Sequence, residues 1–284
     1  MSECGNEQVG TALLLRPAQR EVMMHVHMAL WAKGSMSRYF LELAYNGSAY
    51  RGWQRQPSAP SVQAEVERAL RFVLHVPELF VVGCGRTDTG VHATQYFLHF
   101  DLPEARELDE RFVHGVNSLL PEDIAVYRVF PVNDDAHARF SATERGYVYL
   151  INERKDPFLA GRSYQLQPEL DLESMTAAVP ALLGKQDFSS FCLAGSDAKT
   201  MLCDVRRAEW VRTEAGYRFT IRADRYLRNM VRAIVGTFVR IGKGQQPPGH
   251  MAEVIAARDR AAAGKSAPAR GLYLEYVSYP FLPE

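Results

Sequence analysis

The run Gly83-Cys84-Gly85-Arg86-Thr87-Asp88-Thr89-Gly90-Val91-His92-Ala93 places one carboxylate among glycines, small hydroxyl residues and an arginine. A carboxylate in such a loop can act as a nucleophile or as a base, whereas an Asp-x-Gly elsewhere often does no more than bond its own turn. Leu79-Phe80-Val81-Val82 upstream reads as a buried strand, and downstream Tyr96, Leu98 and Phe100 alternate with Gln95 and His99. The motif is therefore expected to be a loop joining two strands, with its glycines permitting sharp turns and close approach of a ligand. Arg86 is the charge nearest in sequence to Asp88, and an arginine partner favours the charged form of a carboxylate. Cys84 offers a thiol in the same loop, but no base accompanies it in sequence.

Other polar residues lie where a substrate could meet them. A helix over 225–241, stepped at 100° per residue, puts Leu227, Met230, Val231, Ile234, Phe238 and Ile241 on one side and Arg225, Arg228, Arg232, Gly236 and Arg240 on the other. Such an arginine stripe is either a solvated face or a phosphate-contacting one. Asp224 is placed to cap that helix, and Gly236 to admit a backbone or a ligand. Arg145-Gly146-Tyr147-Val148-Tyr149-Leu150 reads as a strand showing Tyr147 and Tyr149 on one face, suited to packing or to stacking on a base. Trp53, Gln54, Arg55 and Gln56 mix one aromatic with planar polar groups, a composition fit for RNA contact or for a capped turn.

The string GRTDTGVHA resembles the signature of the tRNA pseudouridine synthase A family, with Thr89 where that family usually has Ala. Four further blocks resemble the family in the same order: Tyr45-Asn46-Gly47 through Gly52-Trp53-Gln54-Arg55-Gln56, then His137-Ala138-Arg139-Phe140-Ser141-Ala142-Thr143, then Asn229-Met230-Val231-Arg232, and Ala267-Pro268-Ala269-Arg270-Gly271-Leu272-Tyr273. The resemblance runs from Met36 to the C-terminus. It implies the pseudouridine synthase fold and an isomerase that turns uridine into pseudouridine at positions 38, 39 and 40 in the anticodon arm of tRNA, with no cofactor and no metal. It further implies Asp88 as nucleophile or base at the sugar, Arg232 as its pairing arginine, Tyr147 as the ring that stacks on the target uracil and handles a proton, and Arg86 as the side chain that helps displace the base. Arg225, Arg228, Gln54 and Arg55 are the expected further substrate contacts. The family acts as a homodimer, so a homodimer in the cytoplasm is the expectation here.

Size and composition agree with a folded, soluble domain or a pair of them. The chain has 284 residues, of which 47% are hydrophobic, enough to bury one large core or two modest ones. It has no apolar run of the roughly 18 residues a membrane span needs. Cys4, Cys84, Cys192 and Cys203 show neither Cys-x-x-Cys pairing nor a histidine at ligand spacing, which argues against structural zinc and a disulfide framework and for a reducing compartment. Net charge is zero, yet between Arg206 and Lys243 ten basic residues stand against three acidic ones. That segment reads as a basic patch for a nucleic acid. Two other readings compete. An RNA-binding module of the RRM kind is suggested by Arg145-Gly146-Tyr147, but the pattern fails at Val148 and Asn152. An RNA nucleoside glycosidase would also use a carboxylate at C1′, and normally a second one that the Asp88 loop lacks.

The elements that position these residues follow from periodicity. Residues 1–35 carry no motif and read as an extension or a mis-assigned start, with the His-x-His at His25 and His27 incidental. From Met36 the order is strand 38–45, helix 61–75 behind a Ser61 cap, two strands around Asp88, helix 109–118 and strand 124–130. That is the split βαβ, or ferredoxin-like, plan. The remainder repeats it: strand 145–152, helix 171–183, strands 204–212 and 216–223, helices 225–241 and 251–263, and a closing strand 273–279. The expected fold is α+β, two ferredoxin-like halves forming a continuous, mainly antiparallel mixed sheet flanked by helices, with an N-terminal domain over 36–134 carrying the Asp88 loop and a C-terminal domain over 135–284.

Overall fold

Alternating apolar residues build the first half. In the computed structural model, which describes residues 36–167, 169–193, 195 and 198–282, strand β1 (Ser37–Tyr45) leads to helix α1 (Val62–Leu74), then β2 (Val82–Gly83), β3 (His92–Leu102), α2 (Glu110–Asn117) and β4 (Ile124–Val132). The extension, its histidine pair and Cys4 lie outside the described residues. Helix α1 starts where the Ser61 side chain accepts from the Ala64 N–H, and α2 where Asp109 accepts from the Arg111 and Phe112 N–H groups. Val62, Val66, Ala69 and Leu70, at helical spacing, are buried with Leu41, Leu43 and Tyr45 of β1 in one apolar core.

The second half follows the same plan: β5 (Glu144–Asn152), β6 (Tyr164–Gln165), α3 (Leu172–Ala178), β7 (Gly184–Asp187), β8 (Leu202–Arg212), β9 (Gly216–Ala223), α4 (Met230–Gly242), α5 (His250–Ala257) and β10 (Leu272–Ser278). Its core gathers Phe188, Phe191, Phe219, Ile234 and Phe238. The aromatics of the Asp187-Phe188-Ser189-Ser190-Phe191 block are thus packing residues. The short strands β6 and β7 are not apparent from periodicity, since each is brief and half polar.

Among the described residues all strands join one ten-stranded sheet in the order β4-β1-β3-β10-β5-β9-β8-β7, with β2 paired to β3 and β6 to β5. Within each half the spatial order is the ferredoxin-like one, β4-β1-β3-β2 and β10-β5-β9-β8. The halves join because β3 is long. Its inner edge is shared: β2 pairs antiparallel at Val82↔His99 and Gly83↔Leu98, while β10 pairs parallel at Tyr273↔His92 and Leu274↔Ala93. The loop between Gly83 and His92 therefore leaves the sheet at the seam between the halves, and β5, beyond β10, presents Tyr147 there.

One helix begins later than its periodicity implies. Residues 225–229 form an irregular turn, Asn229 adopts φ 66°, and α4 starts at Met230. Asp224 caps no helix. Its Oδ1 accepts from the Asp204 N–H at 2.8 Å and the Arg225 N–H at 2.7 Å, tying the end of β9 to β8. Helix α3 likewise gives way to a 3₁₀ turn at Val179, with Pro180 in its first turn, and α5 stops at Arg258, in the left-handed conformation.

Candidate active site

The Asp88 loop is fixed at nearly every residue. The Cys84 N–H donates to the Phe97 carbonyl at 2.7 Å, and the Tyr96 hydroxyl donates to the Gly85 carbonyl. The Thr87 hydroxyl meets the buried Tyr45 hydroxyl at 2.9 Å, and the Thr87 carbonyl accepts from the Trp53 N–H at 3.3 Å. The Asp88 carbonyl accepts from the Val91 N–H at 3.1 Å, closing a turn in which Gly90 takes φ 75°, a conformation that glycine adopts without a Cβ penalty. Trp53, 1% exposed, is part of the core under the loop and is not available to a ligand.

Asp88 turns its carboxylate toward α4. Arg232 Nη1 lies 3.4 Å from Asp88 Oδ2, with both side chains partly exposed at 22% and 36%. Arg86, the charge expected beside Asp88 from sequence, instead projects into solvent and makes no ion pair among the described residues. Arg232 is itself held. Its Nε donates to the Ala267 carbonyl at 2.8 Å, and the Ala267 N–H donates back to the Arg232 carbonyl at 2.9 Å. The irregular segment 264–268 lies so close on α4 that a Cβ at Gly236 would stand 1.9 Å from the Lys265 carbonyl oxygen. Gly236 thus admits backbone, and the block at Ala267 that sequence left without a role is the brace of Arg232.

Tyr147 comes to the same place from β5. It is half-buried, packs against both apolar cores, and meets Tyr226 edge-on with ring centroids 4.9 Å apart. Burial above all, with the Cys84 and Asp88 charges adding to it and the Arg145 cation opposing, pushes its phenol well above the ordinary tyrosine value. The hydroxyl is accordingly protonated near neutral pH and can donate. Tyr149, on the same face of β5, is spent on structure: its hydroxyl donates to the Pro268 carbonyl at 2.7 Å. The Cys84 thiol is fully buried and pushed up to about 11, chiefly by desolvation. It has little thiolate character at neutral pH and is no nucleophile.

The remaining expected contacts divide. Arg225 and Arg228 sit in the turn before α4 rather than on its face, and neither forms an ion pair among the described residues. Gln54 and Arg55 are exposed but engaged: Gln54 Nε2 donates to Gln63 Oε1 at 2.9 Å, and Arg55 Nη1 pairs with the buried Glu67 carboxylate at 3.0 Å. The basic segment is also less bare than its count implies. Arg212 pairs with Glu153, Arg218 with Glu275, and Arg206 and Arg222 with Glu144, carboxylates supplied from outside 206–243. Of the positive charge in that segment, Arg225, Arg228, Arg240 and Lys243 have no such partner among the described residues.

One residue with a part in this arrangement went unassigned in sequence. Arg145 donates Nε and Nη2 to the Cys84 carbonyl at 3.1 and 2.7 Å, Nη2 to the Arg139 carbonyl at 2.6 Å, and Nη1 to the Asp224 carbonyl at 3.4 Å. Its only sequence signal is the Arg-x-Tyr alternation, which puts it on the face of β5 that carries Tyr147. Among the described residues no cluster of histidine, cysteine and carboxylate groups suited to a metal ion occurs, and no helix is long and apolar enough to cross a membrane.

Comparison with known proteins bears on what these groups do. A family model described as tRNA pseudouridine synthase matches residues 178–280. A Porphyromonas gingivalis protein named tRNA pseudouridine synthase A is 48% identical over 252 residues, covering 86% of this chain and 98% of that protein. Proteins of the same name from Parabacteroides distasonis and Bordetella petrii are 45% and 43% identical, each over 86% of this chain and over 97% and 92% of their own lengths.

Proposed function

This chain belongs to the tRNA pseudouridine synthase A family, and on that premise we propose that it isomerises uridine to pseudouridine at positions 38, 39 and 40 in the anticodon arm of tRNA. The observation that carries the reading is the convergence, at the seam of the sheet, of the Asp88 carboxylate, the Arg232 guanidinium at 3.4 Å and the Tyr147 ring. The reaction breaks the bond between N1 of uracil and C1′, turns the base within the pocket and joins C5 to C1′, after which C5 loses its proton. Nothing is oxidised or reduced.

Asp88 supplies the group that reacts at the sugar, by attack at C1′ or by removal of the C2′ proton; both routes use one carboxylate. Arg232, braced by Ala267, orients it. Tyr147 offers a ring on which the uracil can stack and a neutral hydroxyl within reach of a proton transfer. The base must leave its helical stack first, at a cost of a few kcal/mol. Arg86, exposed and without an acidic partner among the described residues, is suited to fill the space that the base vacates. Arg225 and Arg228 are suited to the flanking phosphates, and Gln54 and Arg55, held on α1, to the outer rim. The division into units over 36–134 and 135–284 belongs to the same proposal, as do a homodimer acting in the cytoplasm and a tRNA that spans both subunits. Sedimentation of the purified protein with and without tRNA tests the assembly.

Asp88→Asn is expected to abolish pseudouridine formation on a tRNA transcript while leaving tRNA affinity within about one order of magnitude, or ~1.4 kcal/mol. Residual turnover comparable to the parent enzyme would remove Asp88 from the chemistry. Release of free uracil would mark a glycosidase, and unchanged RNA a binding module.

A further inference from the structure

We infer that Arg145 is the positioning residue that holds the two segments leading into the site, the Asp88 loop and the Asp224–Asn229 turn, in register with each other and with the Arg139–Phe140 turn. The inference rests on the reading of Asp88 and Tyr147 given above and adds a residue to which that reading gives no part. A guanidinium presents five N–H donors in a rigid fork. Here that fork is spread over carbonyl oxygens from three separate stretches of chain: Cys84 at 2.7 and 3.1 Å, Arg139 at 2.6 Å and Asp224 at 3.4 Å. Cys84 is four residues before Asp88. Asp224 opens the turn that carries Arg225 and Arg228 and delivers the chain to α4 and Arg232.

The charge balance around this residue is unusual. Arg145 is half-buried and makes no ion pair among the described residues, whereas cations withdrawn from water are normally matched by a carboxylate. Carbonyl dipoles solvate it instead, so the cation remains electrostatically open toward its surroundings. Its field opposes the rise in the Tyr147 and Tyr226 phenols and in the Cys84 thiol. The Tyr226 hydroxyl, 3.1 Å from the Arg145 carbonyl, ties the same residue to the ring that supports Tyr147. A side chain serving packing alone needs neither the charge nor the three-way fork.

Lysine keeps the charge, but its donors sit on one nitrogen and cannot reproduce bonds made from three separate nitrogens of a planar fork. In single-turnover assays of the full-length protein on a tRNA transcript, Arg145→Lys is expected to slow pseudouridine formation by about a hundredfold, the scale of a misplacement near 1 Å, while tRNA affinity stays within about threefold. Backbone amide exchange is expected to rise at 84–90 and 224–229, with β1 unchanged. A variant that turns over within about twofold of the parent overturns the inference, as does a loss confined to tRNA affinity, or exchange that rises evenly across the sheet. Should the lysine variant fold poorly, Arg145→Gly assayed with added methylguanidinium is the second arm. Recovery of turnover by the free cation supports the role, and no response from the folded variant overturns it. If Asp88→Asn retains turnover, the underlying reading fails; if only the Arg145 variants behave as the parent, this inference alone fails.

Discussion

The role proposed for Asp88 rests on what surrounds it, not on its type. Two acidic groups stand in the same loop, a carboxylate and a thiol, and the fold separates them decisively: Asp88 is turned outward to Arg232, while Cys84 is sealed beneath with its thiol pushed up to about 11. Only the backbone carbonyl of Cys84 takes part in the site, as an acceptor for Arg145. Cys84→Ala keeps that carbonyl and deletes one buried sulfur. It is expected to retain turnover within about threefold of the parent and to cost on the order of 1 kcal/mol of stability through the small cavity left behind. Steady-state kinetics and urea denaturation check this. A loss of turnover above about a hundredfold would return the thiol to the mechanism.

Strand β3 does more than deliver the loop. His99, 4% exposed, accepts the Ala138 N–H on Nδ1 at 3.0 Å and stacks on Phe40, so the turn leading to Arg139 is latched to β3 by a neutral imidazole. Burial foremost, then the Arg38 and His137 charges, lowers the His99 pKa to about 4, with Asp101 opposing. The unfolded chain takes up this proton near its ordinary value of about 6.5, and the folded protein only near 4. Stability is therefore expected to fall as pH drops from about 6.5 to about 4, by up to ~3 kcal/mol from this group, and to be level in this respect above about 7. Urea unfolding at pH 7 and pH 4.5 measures the slope, and His99→Gln should flatten it; an equal slope in the variant would assign the acid sensitivity elsewhere, His92 and His137 being lowered in the same sense.

Much of this arrangement was legible in the chain, and the parts that were not share a cause. Helix α1 starts at the predicted Ser61 cap because a serine bonds locally, α2 falls within its expected range, and β1, β5, β8 and β9 lie where alternation puts them. Illegible were the features made by partners far away in sequence: the carboxylates at Glu144, Glu153 and Glu275 that neutralise much of the arginine-rich segment, the brace at Ala267, and the fork of Arg145. The closing strand itself was expected, but its place between β3 and β5 belongs with these. Leu274 of β10 is opposite Ala93 of β3 on one side and Tyr147 of β5 on the other, so the Asp88 strand and the Tyr147 strand are two sheet spacings apart, about 9–10 Å, with β10 as the spacer. Leu274 is also 1% exposed in the first core. Leu274→Ala is expected to destabilise the protein by about 2–4 kcal/mol, as for other leucines cut to alanine in a core. Because the spacer itself is loosened, single-turnover chemistry should suffer more than tRNA affinity, whereas the same cut in an element that carries no site residue, Leu182→Ala in the 3₁₀ turn after α3, should leave the rate of the folded fraction closer to the parent. Equal effects of the two variants on that rate, at matched stability, would mean that β10 fills the seam without setting the distance across it.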